Sequence, residues 1–499
     1  MDMDGGAVRP GKALVIGSGI GGLSAAIFLA KLHYQVTVIE GSGQPGGLMR
    51  GYRRQGVECP VGVHYMGALG EGEPLRRMFD YLGVSSGIPV ERMGREGTID
   101  RYLFNDDFSF SLPEGIDAFE QRLRETFPNE QRQIADVLAG LRDVAARMFS
   151  LDFLCSEDGP LFALQYADAL EERLTKLGCS PRLRGVLGVA TTLMGVSPSE
   201  CPVFYHHMAL VSLLFSSWRL ACDSDRMVDA FVNRLHELGG TILLGDPVKR
   251  LRIREKAVTG VVLQSGQELE APMVVAAIHP RIIMNLLPEQ DIRPAYRDRI
   301  LGLQDTAGVF AVNLGVDAGR HSPWSHNVYR LKTDGEGRVT EGVFYQLRRG
   351  TGDVNLLTLI TGSSIQEWKR WEATTSGRRS EDYEEAKERK AEALFEAASS
   401  FCGPFSGLKK LDVFTPLTLR DRANSPNGSA YGVLRSTRQL LPLVSLQRPV
   451  VGGLYLAGQN AWAPGIIGTV LGSFQVVKQI IGFSRFREEL IRDSELEGP

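Results

Sequence analysis

Two hydrophobic periods alternate along the chain. Short, unbroken β-branched runs read as buried strands, and longer runs with apolar residues three and four apart read as helices. The first pair is the clearest. Ala13-Leu14-Val15-Ile16 predicts a strand, the apolar stretch from Ile20 to Leu32 a helix, and Gln35-Val36-Thr37-Val38-Ile39 a second strand. The turn between the first strand and the helix is Gly17-Ser18-Gly19-Ile20-Gly21-Gly22, and the acidic Glu40 ends the second strand. Strand, glycine turn, helix, strand and acid in this order form a dinucleotide-binding fingerprint. Gly17 permits the tight turn, Gly19 lets backbone approach a pyrophosphate, and Gly22 lets the helix lie close to the sheet. The amides at the helix start face the phosphates, and Glu40 is placed to accept from ribose hydroxyls.

The pattern repeats in pieces downstream. Residues 76–222 carry helical periodicity with only weak strand signals, as in Glu120 to Phe127 and Glu130 to Phe149. Met227 to Leu238 predicts a helix stopped by Gly239-Gly240, and Thr241 to Leu244 a strand. Lys249 to Ile253, Val258 to Leu263 and Glu268 to Glu270 predict strands, the last two joined at Ser265-Gly266. Met273 to Ala277 predicts a buried strand. Between 286 and 450, segments such as Val309 to Leu314 and Asn355 to Ile360 predict a sheet, and Ser380 to Ala398 a solvated charged helix. Gly453 to Gly458 closes the series as a strand, and Ile467 to Phe483 follows as an apolar helix, with a charged, frayed tail beyond it. The fold class is therefore α/β, a Rossmann-like cofactor domain with a mixed α+β substrate domain. The cofactor domain comprises 11–75, 223–285 and 451–485, and the substrate or cap domain 76–222 and 286–450.

The loop after Glu40 selects between dinucleotides. A simple NAD domain would start a third βα unit there. This chain has Gly41-Ser42-Gly43-Gln44-Pro45-Gly46-Gly47 instead, followed by Arg50. Paired glycines expose backbone amides to a ligand, and the arginine can face a diphosphate. This favours FAD. At the other end, Pro464 and Gly465 sit just before the last apolar helix. Its free amides can point at an electron-rich group such as a flavin's pyrimidine edge.

Together, the fingerprint, the Gly46-Gly47 loop and the Gly458 segment resemble the superfamily of phytoene desaturases, carotenoid isomerases and retinol saturases. These are two-dinucleotide-binding-domain flavoproteins. Gly62-Val63-His64-Tyr65-Met66-Gly67 and Leu454 to Gln459 are most similar to retinol saturase and its bacterial relatives. The resemblance covers essentially the whole chain. It implies FAD contacts at Gly17, Gly19, Ile20, Gly21, Gly22, Glu40, Gly46, Gly47, Leu48, Arg50, Val63 and His64. It implies further contacts at Val248 (through its backbone, to adenine), Ala277, Gly458, Gln459, Pro464, Gly465, Ile466, Ile467 and Gly468. His64 and Tyr65 are the catalytic candidates, either as proton donors or as groups that only pack beside the flavin. Trp462 could stack near the ring or wall the pocket. Many desaturases carry an acidic or small residue after the C-terminal glycine. Gln459-Asn460 stands there in this chain, so an amide would make the contact, which weakens the desaturase direction.

The implied activity is saturation, desaturation or cis–trans isomerisation of a C=C bond in a long apolar polyisoprenoid, with saturation favoured. A flavin amine oxidase and a non-catalytic, FAD-containing lipid binder remain alternatives. The electron donor or acceptor is open among NADPH, a quinone, a redox protein and O₂, since no second fingerprint follows a strand.

Composition narrows the setting. The 499 residues carry a net charge of −3, which gives no sign of nucleic-acid binding. Met1 to Asp4 is acidic with no leader pattern, and six cysteines are scattered without a CxxC pair, which predicts reduced thiols in a cytoplasmic chain. His206 and His207 lack companions at ligand spacing, so no metal site is expected. Met208 to Phe215 is the richest apolar segment. It fits a core helix, a wall of a substrate tunnel, or a patch resting peripherally on a membrane.

Overall fold

The computed structural model describes residues 11–155, 159–221, 223–447 and 451–496. Met1 to Asp4, Cys222 and the last residues of the tail, on which some of these expectations rest, lie outside the described residues.

The first layer is a parallel sheet of five strands. They are β1 (Lys12–Ile16), β2 (Gln35–Glu40), β3 (Thr241–Leu244), β4 (Met273–Ala276) and β5 (Leu454–Leu456), in spatial order β3-β2-β1-β4-β5. Their β-branched residues are buried because helices cover the sheet. Helix α1 (Ile20–Lys31) is buried from Ile20 to Ala30. Two further helices matter for the site, α2 (Val203–Phe215) and α3 (Gly465–Ile481). An antiparallel meander of Val248–Arg254, Ala257–Leu263 and Glu268–Glu270 connects β3 to β4.

Backbone contact joins the two ends of the chain. A Cβ placed on Gly21 would stand 2.6 Å from the Gly458 Cα, and one on Gly472 would stand 2.5 Å from the Gly458 carbonyl oxygen. Ser473 Oγ donates to the Gly21 carbonyl at 2.7 Å. Helices α1 and α3 thus pack through small residues, and β5 ends between them.

The second layer is a seven-stranded sheet in the order Lys409–Phe414, Gly308–Asp317, Val354–Ser363, Val339–Thr351, Asn327–Thr333, Asp100–Phe104, Ser109–Leu112. The stretch 76–222 is largely helical, as expected, and the last two strands of this sheet are among its few strand segments. They form a hairpin whose first strand pairs parallel to Asn327–Thr333. The alternation in Asp100-Arg101-Tyr102 is short, so its pairing is set by a strand more than two hundred residues away rather than by local pattern. One face of this sheet buries Phe310, Tyr345, Leu357, Trp368 and Tyr383. The other face turns toward residues 52–65.

Two further expectations change. The last cofactor helix starts at Gly465 and stops at Ile481, and the supposedly frayed tail is a second helix, Phe483–Leu496. Phe486 anchors it, buried against Phe28 with ring centroids 5.6 Å apart. Helix α2 is core. His206, His207, Met208 and Leu210 to Leu214 are buried, which removes Met208–Phe215 as a membrane-resting patch. Among the described residues, no helix is long and apolar enough to cross a membrane. Cys59, Cys179 and Cys201 are free thiols.

Gly21→Ala is expected to destabilise the protein by about 1–3 kcal/mol, because the methyl meets backbone that cannot rotate away. Gly335→Ala, whose added Cβ meets nothing within 4 Å, serves as the control. Urea denaturation of both variants checks this, and equal midpoints would refute the close-approach argument.

Candidate active site

The glycine turn between β1 and α1 is held from below by the acid that ends β2. Glu40 Oε2 accepts from Ser18 N (3.0 Å) and Ser18 Oγ (2.6 Å), and Oε1 accepts from Ser42 N (2.8 Å). A carboxylate has further lone pairs, so these bonds leave capacity for ribose hydroxyls. Gly46 N donates to the Ser18 carbonyl at 3.0 Å, and Gly19 and Gly46 form a bridge, so the second loop lies against the first. Arg50 braces this loop, donating from Nη1 to Ser42 Oγ (3.3 Å) and from Nη2 to the Arg422 carbonyl (2.9 Å). Only part of its donor fork is left for a diphosphate.

Gly17, Gly19, Ile20, Gly21, Gly22, Glu40, Gly46 and Gly47 therefore gather at the ends of β1 and β2. Ala277 joins them: its amide donates to the Ile16 carbonyl at 2.8 Å, and its own carbonyl oxygen would lie 3.0 Å from a Cβ on Gly17. Val248 lies close by, because Gly245 N donates to the Glu40 carbonyl and Pro247 packs on Gly41.

Gly458, Gln459, Pro464, Gly465, Ile466, Ile467 and Gly468 form the opposite wall at the start of α3. Pro464 is its N-cap and provides no side-chain cap, so the first amides are free. The Asn460 Oδ1 is committed to Val433 N at 3.0 Å, and the Gln459 carbonyl accepts from Arg435. Trp462 is half-buried, with a buried, unpaired indole Nε1. Leu48 and Val63 sit nearby, Leu48 against the buried cluster of Ala311, Phe414 and Leu419.

These residues fit a flavin nucleotide on grounds internal to the chain. Helices α1 and α3 both start without a side-chain cap. A Cβ on Gly19, Gly43 or Gly465 would meet no protein atom within 4 Å, so their surroundings are open. His64 Nδ1 and Trp462 Nε1 are buried donors or acceptors that no protein group answers.

On the face of the seven-stranded sheet turned toward residues 52–65 the side chains fall into transverse rows, and the far members Tyr102, Phe104, Phe110 and Leu331 are packed in the protein core. Ala311, Ile360, Phe344, Tyr329, Tyr102 and Phe110 are register neighbours in one row. Val309, Gly362, Gly342, Leu331 and Phe104 form the next, where Gly362 opens onto free space. Neither row contains a charged side chain. Behind them runs a buried polar row. Gln346 Nε2 donates to Asn327 Oδ1 (2.8 Å) and to the His64 carbonyl (3.2 Å), and Asn327 Nδ2 donates to Asp100 Oδ1 (2.9 Å).

His64 and Tyr65 meet this face. The Phe344 ring stacks on Tyr65 (centroids 6.1 Å apart) and lies 5.8 Å from His64. Tyr65 Oη donates to Asp100 Oδ2 at 3.2 Å and shares a 2.8 Å hydrogen bond with Tyr329 Oη. Sequence reasoning missed Asp100 and Tyr329, which no motif marks. The hairpin that carries Asp100 was the only signal available.

Desolvation sets the protonation states here. Burial, aided by the Arg348 cation, depresses the His64 imidazole to about 3. A ring that is neutral at physiological pH carries no imidazolium proton to donate. Burial pushes the Asp100 carboxyl up to about 7, although its bonds from Asn327 and Tyr65 pull the other way. Burial also raises Tyr65 well above its ordinary value, with Asp100 and Tyr329 adding to the effect. His206 and His207 are buried elsewhere, their Nδ1 atoms 2.9 Å apart. Among the described residues, no group of three or more His, Cys, Asp or Glu could hold a metal ion.

A family model described as flavin containing amine oxidoreductase matches residues 20–476. The chain is 23% identical to an all-trans-retinol 13,14-reductase of Danio rerio, over 92% of this chain and 84% of the relative. It is 24% identical to an all-trans-zeta-carotene desaturase of Myxococcus xanthus, over 55% of this chain and 53% of the relative. The fold matches that of a cyclohexylamine oxidase from Brevibacterium oxydans, with a TM-score of 0.58 at 20% identity over 97% of this chain and 100% of that one.

Asp100 generates a pH prediction. Its ordinary value is 3.8 and its value in the fold is about 7. Between these, the unfolded chain is ionised while the fold retains the proton, so this contribution to stability falls as pH rises through the window. His64 has the opposite slope between 6.5 and about 3, losing stability as pH falls. Asp100→Asn should therefore gain on the parent chain from about pH 4 to about pH 8, by on the order of a few kcal/mol. Urea unfolding across that range tests this, and a pH-independent difference would refute it.

Proposed function

The chain belongs to the flavin-containing amine oxidoreductase family, and on that footing we propose an FAD-dependent enzyme that saturates a C=C bond of a long apolar polyisoprenoid-like substrate. The observation that carries this reading is the uncharged sheet face. Its facing rows are aliphatic, aromatic or glycine. Asp100 beside them is held protonated up to about pH 7, and the buried Glu58 carboxylate is paired with Arg348. A polar amine would leave its charge unanswered on such a surface. The fuller coverage of the reductase relative than of the desaturase relative favours saturation over desaturation. Cis–trans isomerisation at the same site needs no external electrons and is the second reading, favoured by the same apolar face.

A bound flavin supplies hydride exchange with carbon. The chain supplies the rest. Phe344, Ile360 and Tyr329 exclude water and hold an apolar chain flat along the sheet. Gly362 leaves room above it. Tyr65 holds a proton at its Oη, beside Tyr329 Oη and Asp100 Oδ2, so a proton given to substrate carbon is replaced along hydrogen bonds already formed. Neutral His64 packs at the edge of the face through Phe344. Saturation consumes two electrons and two protons overall, and the electrons come from NADPH, a quinol or a reduced redox protein.

The purified chain is expected to show an oxidised flavin band near about 450 nm, where the cofactor itself absorbs. Absence of that band after reconstitution with FAD would overturn the reading. Anaerobic NADPH separates the donors: rapid bleaching means direct hydride intake, and an unmoved band leaves a quinol, a reduced redox protein or the electron-neutral isomerisation. Tyr65→Phe should lower the saturation rate about 10²–10⁴-fold with the flavin spectrum retained. An unchanged rate would remove Tyr65 as the proton donor.

A further inference from the structure

Arg435 is 2% exposed and unpaired in charge. Its Nη2 donates to the Gln459 carbonyl at 2.8 Å, and its Nε has no acceptor. Among the described residues no carboxylate forms an ion pair with it, and Tyr205 is the one titratable group whose charge acts on it. Tyr205 Oη in turn donates to the Trp462 carbonyl at 3.4 Å. Gly432 and Val433, just before the arginine, pack on Gln459 and Asn460. The cation is thus fixed against the segment that runs from β5 into the uncapped start of α3.

A guanidinium taken out of water is costly unless an anion meets it. The described residues provide none, while Trp462 Nε1 is a second unanswered donor on the same segment. Buried donors and a cation with no protein acid describe a site for a negative charge that arrives with a ligand. On the flavin reading above, that segment carries the helix start facing the flavin's pyrimidine edge. Two electrons and one proton added to neutral flavin leave one negative charge, delocalised over that edge.

We propose that Arg435 is the counter-charge for the anionic reduced flavin, acting from the Gln459 side of the cleft. The inference rests on the FAD reading and goes beyond it, because it assigns a residue that sets the cofactor's potential. A cation beside the anion favours the reduced state, so it raises the midpoint potential. It equally favours a sulfite adduct, in which sulfite bonds to the flavin and places negative charge on the same edge.

The test uses the FAD-loaded full chain. Wild type is expected to form a sulfite adduct. Arg435→Gln should weaken sulfite binding at least tenfold and lower the two-electron potential by about 30 mV for each tenfold. Arg435→Lys should recover most of both effects. The proposal falls if wild type forms no adduct, a readout that needs no variant to fold. It also falls if Arg435→Gln binds FAD with both quantities unchanged. If the variant instead loses only affinity for a long-chain carboxylate such as oleate relative to its alcohol, the cation serves a substrate anion and the proposal is overturned. A wild-type chain that takes up no FAD defeats the functional reading itself, whereas bound FAD with an unmoved potential defeats only the role of Arg435.

Discussion

The structure depends on one close approach of backbone, where Gly21, Gly458 and Gly472 meet without side chains between them. Helices α1 and α3 come from opposite ends of the chain, and both must aim their first turns at the same cleft. A Cβ at Gly21 or Gly472 would push the Gly458 segment or one of the helices aside, while Gly458 itself takes a positive φ that a side chain would strain. The hydrogen bond from Ser473 to the Gly21 carbonyl then fixes the rotation of α3 against α1. Everything assigned to the cofactor follows from this contact, because it sets the distance between the pyrophosphate end and the Gly465 end of the site.

Against that frame the substrate sheet contributes a surface ordered by register. Strand pairing places one apolar row, one glycine-containing row and one polar row side by side, each built from residues far apart in sequence. The polar row is buried, so its members answer one another: Gln346 to Asn327, and Asn327 to Asp100. Burial then decides charge. Asp100 without a cation keeps its proton, and His64 beside Arg348 loses its own. The outcome is a sheet face with no net charge, bounded on the α3 side by Arg435, which pairs with no carboxylate among the described residues. An uncharged face with a positive edge suits apolar carbon chemistry on a cofactor that becomes negative when reduced.

Much of the cofactor half was legible in the sequence. The runs Ala13–Ile16 and Gln35–Ile39, the glycines between them and Glu40 are all local patterns, and local sterics and hydrogen bonding dictate what they form. The strand at Leu454–Leu456 and the helix after Pro464 were equally local, apart from two residues at the helix start. His64 and Tyr65 could be named from a motif. Their protonation could not, because it depends on how much water the rest of the fold excludes. The helix Phe483–Leu496 was misread because Phe486 has meaning only beside Phe28.

By itself, then, the sequence determined a flavin-type nucleotide frame, its glycine turns, its acid and the resemblance to C=C-acting flavoproteins, since each is written in neighbouring residues. Only the tertiary structure decided that the Asp100–Leu112 hairpin completes the seven-stranded sheet, that Tyr65 is joined to Asp100 and Tyr329, and that no described acid pairs with Arg435. The physical reason is the same in each case. Strand partners, desolvation and the absence of a counter-ion belong to the space around a residue, and that space is filled by segments hundreds of positions away.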